Sequence, residues 1–179
     1  MKYVALLRGI NVGGKNIIKM ASLRTCLEEI GLDEVQTYIQ SGNIVFRGTG
    51  SVKTLENRIE QALKDEFDCD THVLVLSRSK FIRIIEAAPK GFGSDLEKYQ
   101  CDVVFLKRPL TSEKALSAVE VREGVDTATR GENALYISRL KAEASKSRFP
   151  KIVSKPEYRL MTIRNWNTTT KLQGMLLQD

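Results

Sequence analysis

The sequence predicts an α+β fold made of two tandem subdomains, each with the order β-α-β-β-α-β followed by a further helix. Hairpin turns at Gly42 and Gly131 occupy equivalent places in the two halves. Candidate caps of a final helix, Ser77 and Asn165, follow these glycines by 35 and 34 residues. A tandem duplication is the simplest explanation of this match. Each half then has the split β-α-β arrangement of ferredoxin-like folds, with mostly antiparallel sheets.

Hydrophobic periodicity and turn residues place the elements of the first half. The run Lys2–Leu7 predicts a strand, and helical spacing of apolar residues predicts a helix over Lys19–Ile30 that ends at Gly31. Because the first strand is apolar at both its odd and its even positions, both faces of its sheet are predicted to be covered. The other predicted elements are strands Val35–Gln40, Asn43–Arg47 and His72–Leu76, a helix capped by Ser51, and a helix capped by Ser77 or Ser79 that Pro89 ends.

The second half repeats this order. Pro109 and Thr111 predict the start of a short helix, and Leu140–Val153 is basic and predicted to be partly helical. The other predicted elements are strands Cys101–Leu106, Val125–Thr129, Ala134–Ser138 and Tyr158–Ile163, and a last helix capped by Asn165 or Asn167. The predicted domains are therefore residues 1–89 and 101–179, joined by a glycine-containing linker over residues 90–100.

The composition is that of an ordinary globular protein. The chain has 179 residues, of which 42% are apolar and 28% charged. It contains no apolar run of membrane-spanning length and no signal region, so a cytoplasmic protein without a membrane partner is predicted. Cys26, Cys69 and Cys101 are widely spaced and form no CxxC pair, so neither a disulfide framework nor a metal site is predicted.

The excess positive charge lies in two segments. Residues 1–24 contain five cations and no carboxylate, and residues 139–171 contain nine cations against two carboxylates. If these segments meet in space, they form a basic face suited to phosphate groups. The alternative, two unrelated solvated surfaces, stays open at this stage.

A glycine-rich loop, Gly9–Ile18, separates the first predicted strand from the first helix. In the second half only a few residues around Arg108–Leu110 occupy the equivalent place, so this loop is expanded, and expanded loops are often functional. Clustered backbone N–H groups with nearby cations suit an anion. The residues predicted to form an anion cradle are Arg8, Asn11, Gly13, Gly14 and Lys15.

The segment Gly9–Asn16 also matches the phosphate-binding pattern GxxxxGK[ST], except that Asn16 replaces the hydroxyl residue that would bind Mg²⁺. A second metal-holding motif is not visible, and the antiparallel hairpins argue against the parallel sheet of nucleotide hydrolases. Nucleotide hydrolysis is therefore disfavoured, whereas anion binding stays open.

Two further polar clusters are predicted to form the walls of the same pocket. Trp166 would stack on a base or another ring, while Arg164 and Lys171 would face phosphate. The alternative for the asparagine at this junction is that it caps the last helix. The predicted wall residues are Gln40, Ser41 and Asn43 at the first hairpin, and Arg164, Asn165, Trp166 and Lys171 near the carboxyl end.

Three stretches of the chain resemble the signatures of domain of unknown function family 1697. They are Tyr3–Gly14, Thr37–Asn43, and Thr162–Trp166 with Lys171 and Leu172. The resemblance covers nearly the whole chain. It implies a bacterial cytosolic protein with two ferredoxin-like subdomains in tandem, and it implies no established activity.

The leading functional hypothesis is non-catalytic binding of a phosphate-bearing partner, either a nucleotide or a nucleic acid. One alternative is a small enzyme that acts on a phosphorylated metabolite, with Lys15 as an electrostatic stabiliser. The other is a subunit of a larger assembly, with the glycine-rich loop at an interface. The sequence identifies no cofactor, and it decides neither the oligomeric state nor whether the protein is an enzyme.

Overall fold

The computed structural model describes residues 1–178 and confirms the α+β class. The elements in chain order are β1 (Lys2–Leu7), α1 (Met20–Glu29), β2 (Asp33–Tyr38), β3 (Asn43–Arg47), α2 (Val52–Phe67), β4 (Val73–Ser77), α3 (Arg78–Glu86), β5 (Tyr99–Leu106), α4 (Ser112–Ala118), β6 (Asp126–Arg130), β7 (Ala134–Leu140), three 3₁₀ helices (Lys141–Lys146, Phe149–Ser154 and Pro156–Leu160), β8 (Met161–Asn165) and α5 (Trp166–Leu177). Among the helices of residues 1–178, none combines the length and the apolar character needed to cross a bilayer.

The strands form two four-stranded antiparallel sheets with equivalent orders, β2-β3-β1-β4 and β6-β7-β5-β8. This equivalence fits a tandem duplication. The chain divides into two compact units: the first comprises Met1–Ile82 and the residues from Leu172 onward, and the second comprises Arg83–Lys171. The domain ranges 1–89 and 101–179 stay a prediction about which parts fold independently.

The core of the first unit lies against the central strand β1. On one face, Tyr3, Ala5 and Leu7 are buried with apolar side chains of α1 and α2. On the other face, Val4 and Leu6 are also fully buried. The side chains on both faces of β1 are therefore buried, as its continuous apolar run predicts.

The edge strand β4 is protected by two carboxylates of α2. The backbone N–H groups of Val73 and Val75 donate to Glu60 and Glu56 at 2.8 and 3.0 Å. These glutamates are four residues apart, so they share one face of the helix. Unpaired N–H groups on an edge strand can pair with a strand of another chain. Glu56 and Glu60 accept two of these N–H groups within the protein, so they are not available for such pairing.

The first hairpin turn is longer than predicted. β2 ends at Tyr38, which pairs with Asn43, so residues 39–42 form a four-residue turn instead of a two-residue one. Ile39 has a positive φ of 49°, and this left-handed conformation ends the strand early. The Asn43 side chain closes the turn by donating to the Tyr38 carbonyl at 3.0 Å and the Ser41 hydroxyl at 2.9 Å. We call residues 39–42 the supporting turn.

Gly42 packs the supporting turn against the end of β1. The Leu7 N–H donates to the Gly42 carbonyl at 2.8 Å. A Cβ added to Gly42 would lie 2.6 Å from Leu7 Cβ and 2.9 Å from Ile10 Cδ1, and its φ is 77°. Both the backbone conformation and the space at this position therefore require glycine.

The second unit crosses from β7 to β8 by three 3₁₀ helices, where the first unit uses the long helix α2. The prediction that Leu140–Val153 is partly helical is confirmed, and its helical turns are 3₁₀ turns. The last strand begins at Met161, not at the predicted Tyr158, because Pro156–Leu160 forms the third 3₁₀ helix. Proline lacks a backbone donor and suits the first turn of such a helix.

Buried polar groups attach this crossover to the sheet. The Asp126 carboxylate accepts hydrogen bonds from the backbone N–H groups of Arg122 at 2.9 Å and Arg148 at 2.8 Å. Burial raises the pKa of Asp126, but the nearby Ser147 hydroxyl and the backbone N–H groups of Arg148, Arg122 and Phe149 favour the carboxylate and outweigh burial, so the pKa lies below its ordinary value. Phe149 and Ile152 then fill the core beside it.

Substituting Gly42→Ala is expected to destabilise the protein by about 2–4 kcal/mol, because the added methyl group clashes with Leu7 and strains a left-handed residue. The free energy of unfolding in urea measures this effect. Gly174→Ala is the matched control. Gly174 lies within α5 with open space around it, so we expect a gain of up to about 1 kcal/mol. Equal effects of the two substitutions would contradict the packing described for Gly42.

Substituting Asp126→Asn is expected to cost about 1–3 kcal/mol at neutral pH, because the carboxylate accepts two backbone hydrogen bonds in a buried site. A carboxyl group whose pKa is lowered by folding stabilises the protein above its unfolded pKa. That contribution is lost as the pH falls through the lower, folded pKa. Urea unfolding of both proteins between neutral and acidic pH should therefore show their difference shrinking below about pH 4. A difference that is independent of pH would contradict this assignment.

Candidate functional site

The glycine-rich loop Gly9–Ile18, hereafter the glycine loop, folds back on itself as a small hairpin. The Asn11 N–H donates to the Asn16 carbonyl at 3.0 Å, and the Lys15 N–H donates to the Val12 carbonyl at 3.1 Å. The two central residues, Gly13 and Gly14, have φ values of 58° and 73°. Two successive positive φ values are typical of a type I′ turn, which matches the twist of a hairpin.

Apolar residues fix the base of the glycine loop while its tip lies in solvent. Ile10 and Ile18 are only 1% and 4% exposed and belong to the core of the first unit. Between them, Val12–Ile17 are exposed. The glycine loop is therefore a projecting structure with a firmly anchored base.

Asn11 joins the glycine loop to the supporting turn. Its amide donates to the carbonyls of Ile18 at 3.0 Å and Gln40 at 2.9 Å, and its side-chain oxygen accepts from the Ile18 N–H at 2.8 Å. Asn11 also has a φ of 53°, a conformation that asparagine tolerates better than most residues. The structure thus brings together two residues predicted for the site, Asn11 and Gln40, although Gln40 contributes its backbone carbonyl.

The glycine loop differs from a phosphate-binding P-loop despite its sequence pattern. In a P-loop, successive N–H groups cradle the phosphates. Here the N–H groups of Asn11 and Lys15 are used within the hairpin. Asn16, the position that departs from the pattern, has a φ of 49° and donates its side-chain amide to the Gly9 carbonyl at 3.0 Å. The loop presents its side chains outward, with Lys15 beside the tip.

The other predicted residues of the first unit have structural contacts. Asn43 is fully buried, and its side-chain amide donates to the Ser41 hydroxyl within the supporting turn. Arg8 is half-buried, and its backbone carbonyl accepts a hydrogen bond from the Thr71 hydroxyl at 2.6 Å. Binding of an anion by Arg8, Gly13, Gly14 and Lys15 stays a prediction.

In the second unit, the junction between β8 and α5 is a helix start supported by its own side chains. The Asn165 side-chain oxygen accepts from the Thr168 N–H at 2.8 Å, which confirms the capping alternative. Arg164 donates to the carbonyl of Ile163 at 2.9 Å, and Lys171 is exposed. These contacts describe the junction alone, so a pocket shared with the glycine loop stays a prediction.

Trp166 packs against residues that precede β5. Its ring meets the ring of Phe92 edge to face, with centroids 5.1 Å apart and an interplanar angle of 88°. A Cβ on Gly93 would lie 2.2 Å from the indole ring. Packing therefore accounts for Trp166 within its unit, and its predicted stacking on a ligand stays a prediction.

The second unit also contains a cleft that the sequence analysis missed. It lies between residues 89–95 and one face of the sheet, where Thr127, Thr129 and Ser138 contribute hydroxyl groups. We call it the second-unit cleft. The alternation of polar Thr127 and Thr129 along β6 is a signal that could have indicated an accessible sheet face. In the part of the chain that the structure describes, no cluster of metal-ligating side chains is found.

Asn11→Ala is expected to destabilise the glycine loop more than Asn11→Gly. Both substitutions remove the side-chain hydrogen bonds to Ile18 and Gln40, but alanine also strains a left-handed residue by about 1–2 kcal/mol. Amide hydrogen exchange at Lys15 and Ile18 measures the opening of the loop, and thermal unfolding measures the global effect. If both variants exchange as slowly as the wild type, Asn11 does not hold the loop.

Comparison with known proteins places the chain in a family. A family model described as "Protein of unknown function (DUF1697)" matches residues 1–136. A search of curated proteins finds no match. The structure is similar to that of the conserved bacterial protein SP0830 from Streptococcus pneumoniae, with 30% sequence identity, a TM-score of 0.84 and 98% of each chain covered. These matches confirm the resemblance carried by the sequence motifs: the chain belongs to the DUF1697 family of proteins of unknown function.

Proposed function

We propose that the protein binds the phosphate groups of a nucleic acid through its glycine loop, without catalysing a reaction. The observation that carries the proposal is an exposed hairpin in a segment whose charged side chains are all cationic. Lys15 is exposed beside the tip, and Lys19 is exposed just after the base. The first carboxylate of the chain is Glu28, so residues 1–27 carry only positive side-chain charge. Such a distribution attracts a polyanion.

The shape of the glycine loop favours a polymer over a free nucleotide. A concave nest surrounds one phosphate with several N–H groups. A projecting hairpin instead lies against an extended surface, and a two-stranded ribbon is narrow enough to enter a nucleic-acid groove. The phosphate-bearing partner that fits this geometry best is therefore a nucleic acid.

The internal hydrogen bonds of the glycine loop support binding by lowering its entropic cost. A flexible glycine-rich segment would lose conformational freedom when it binds. Here the hydrogen bonds between Asn11 and Asn16 and between Val12 and Lys15 order the hairpin in the free protein. The hydrogen-bonded hairpin therefore has less conformational freedom to lose on binding than an unstructured loop of the same length.

Substituting Lys15→Gln is expected to weaken binding to a labelled DNA duplex by about three- to tenfold at low salt. The slope of log affinity against log salt concentration should fall by about one, because one phosphate contact is lost. Fluorescence anisotropy at several salt concentrations measures both quantities. Lys53→Gln is the control, because Lys53 is an exposed lysine of the same unit within α2. Lys53→Gln should leave the salt slope unchanged, and it should lower the affinity for DNA only as far as the loss of one unit of net charge requires.

Three results would reject this proposal: no binding of DNA or RNA at low salt, equal effects of the two lysine substitutions, or a slope that Lys15→Gln leaves unchanged. Tight binding of a mononucleotide with little dependence on salt would instead favour a metabolite site. The alternative of a small enzyme acting on a phosphorylated metabolite would then be the better hypothesis.

A second candidate function, a protein interface at the glycine loop, has one specific observation in its favour. Val12 is 64% exposed and Ile17 is 75% exposed, and both are β-branched apolar residues of the hairpin. Contiguous exposed apolar side chains are typical of contact surfaces. Sedimentation of the protein used for the DNA measurements distinguishes the two functions, since a self-association interface gives a mass that rises with concentration.

A further inference from the structure

We propose that the second-unit cleft is a binding site for a small, neutral, ring-shaped polyol, either a free monosaccharide or the ribose of a nucleoside. The site lies within residues 89–138. It is independent of the glycine loop, so it adds a ligand class to the nucleic acid proposed above.

Strand register gathers the hydroxyl groups of this cleft on one face of the sheet. Thr127 on β6 lies opposite Ser138 on β7, and Ser138 lies opposite Cys101 on β5. The next row along β6 pairs Thr129 with Tyr136. Because side chains alternate along a strand, Thr127 and Thr129 point to the same side as their partners. The floor therefore offers several hydroxyl groups in a regular array.

The opposite wall is formed by residues 89–95, whose conformation is fixed by local hydrogen bonds. Gly91 and Gly93 have φ values of 82° and 76°. The Ser94 hydroxyl and N–H both donate to the Gly91 carbonyl, at 2.7 and 3.1 Å. The ring of Phe92 is held edge-on against Tyr136 and Trp166. The wall is therefore ordered without a ligand.

Phe92, which is half-buried and lines the cleft, is the accessible aromatic part of the site. Tyr136 is only 2% exposed, and its hydroxyl group donates to the Ile84 carbonyl at 2.5 Å, which fixes that ring within the sheet face. An aromatic ring beside several hydroxyl groups suits a ligand with an apolar ring face and polar edges. Sugars have this combination, because their C–H groups share a face and their hydroxyl groups project from the rim.

Size and charge limit the ligand further. The cleft has a volume of about 210 Å³, below the roughly 300–1,000 Å³ that drug-sized ligands occupy. Its lining includes one carboxylate, Asp95, and one ammonium group, Lys90. These opposite charges leave no surplus to attract an anion or a cation. A neutral molecule with one ring matches both limits.

Cys101 lies at the floor of the cleft, and the proposed binding gives it no role as a nucleophile. It is 5% exposed, and burial raises the pKa of its thiol, partly offset by a hydrogen bond from the backbone of Gly93. The thiolate is the reactive form of cysteine, so a raised pKa leaves an inert thiol at neutral pH. The site therefore binds its ligand without a covalent step.

Titrations followed by ¹⁵N–¹H NMR test the proposal with D-ribose, D-glucose, uridine and uracil as probes. We expect amide shifts at residues 91–94, 127–129 and 136–138, with dissociation constants of about 1–10 mM for ligands of this size. Shifts with ribose and uridine identify the ribose of a nucleoside as the ligand. Shifts with glucose alone identify a free hexose.

A double substitution, Thr127→Val with Ser138→Ala, removes two hydroxyl groups from the floor and should weaken binding at least about fivefold. Ser117→Ala is the matched control, because Ser117 lies on α4 and its hydroxyl donates to the Glu113 carbonyl. Thermal unfolding verifies that each variant is folded. A third variant, Thr129→Trp, fills the cleft and should abolish the shifts.

The proposal is overturned if no sugar or nucleoside shifts these amides, or if uracil shifts them as uridine does. It is also overturned if the double variant and Thr129→Trp, both folded, bind as well as the Ser117→Ala control. These outcomes do not depend on Lys15 or on DNA binding, so they leave the proposed function of the glycine loop unaffected.

Discussion

The contact of Gly42 with Leu7 and Ile10 is the constraint on which the candidate site of the first unit depends. It places the supporting turn against the end of β1, at the point where the glycine loop leaves the sheet. Asn11 then bonds to the carbonyl of Gln40 in the same turn. A left-handed glycine with no room for a Cβ thus determines where an exposed hairpin stands, because close backbone approach is possible only without a side chain.

The two units reach the same sheet order by different crossovers. In the first, α2 buries an apolar face and directs Glu56 and Glu60 at the edge strand. In the second, short 3₁₀ helices cover the sheet, and the Asp126 carboxylate accepts a hydrogen bond from the backbone N–H of Arg148 at the start of the second 3₁₀ helix, and another from that of Arg122 in the turn before β6. The topology is therefore compatible with unequal connections, provided that each connection satisfies its own polar groups.

The two candidate sites differ in shape, and the partners proposed for them differ for that reason. The glycine loop projects into solvent with Lys15 near its tip, and this shape is the basis for proposing a large, extended partner for it. The second-unit cleft is concave and has no net charge in its lining, so it suits a small neutral ligand. Membership of a family of unknown function is compatible with both sites, and the similar structure from Streptococcus pneumoniae shares the fold over nearly the whole chain.

The sequence by itself determined the features that depend on local interactions. Apolar periodicity located β1 and β3 at their observed bounds, and the Ser51 and Asn165 side chains predicted two helix starts where they accept backbone N–H groups. It also singled out the glycine loop by its length and charge. The Gly13–Gly14 pair is a local signal for the turn of this loop. Only the tertiary structure decided where the hairpin stands, because that depends on the anchoring of Ile10 and Ile18 in the core and of Asn11 on Gln40. The second-unit cleft likewise arises from the register between β5, β6 and β7. These are contacts between residues distant in the chain, and no local pattern specifies them.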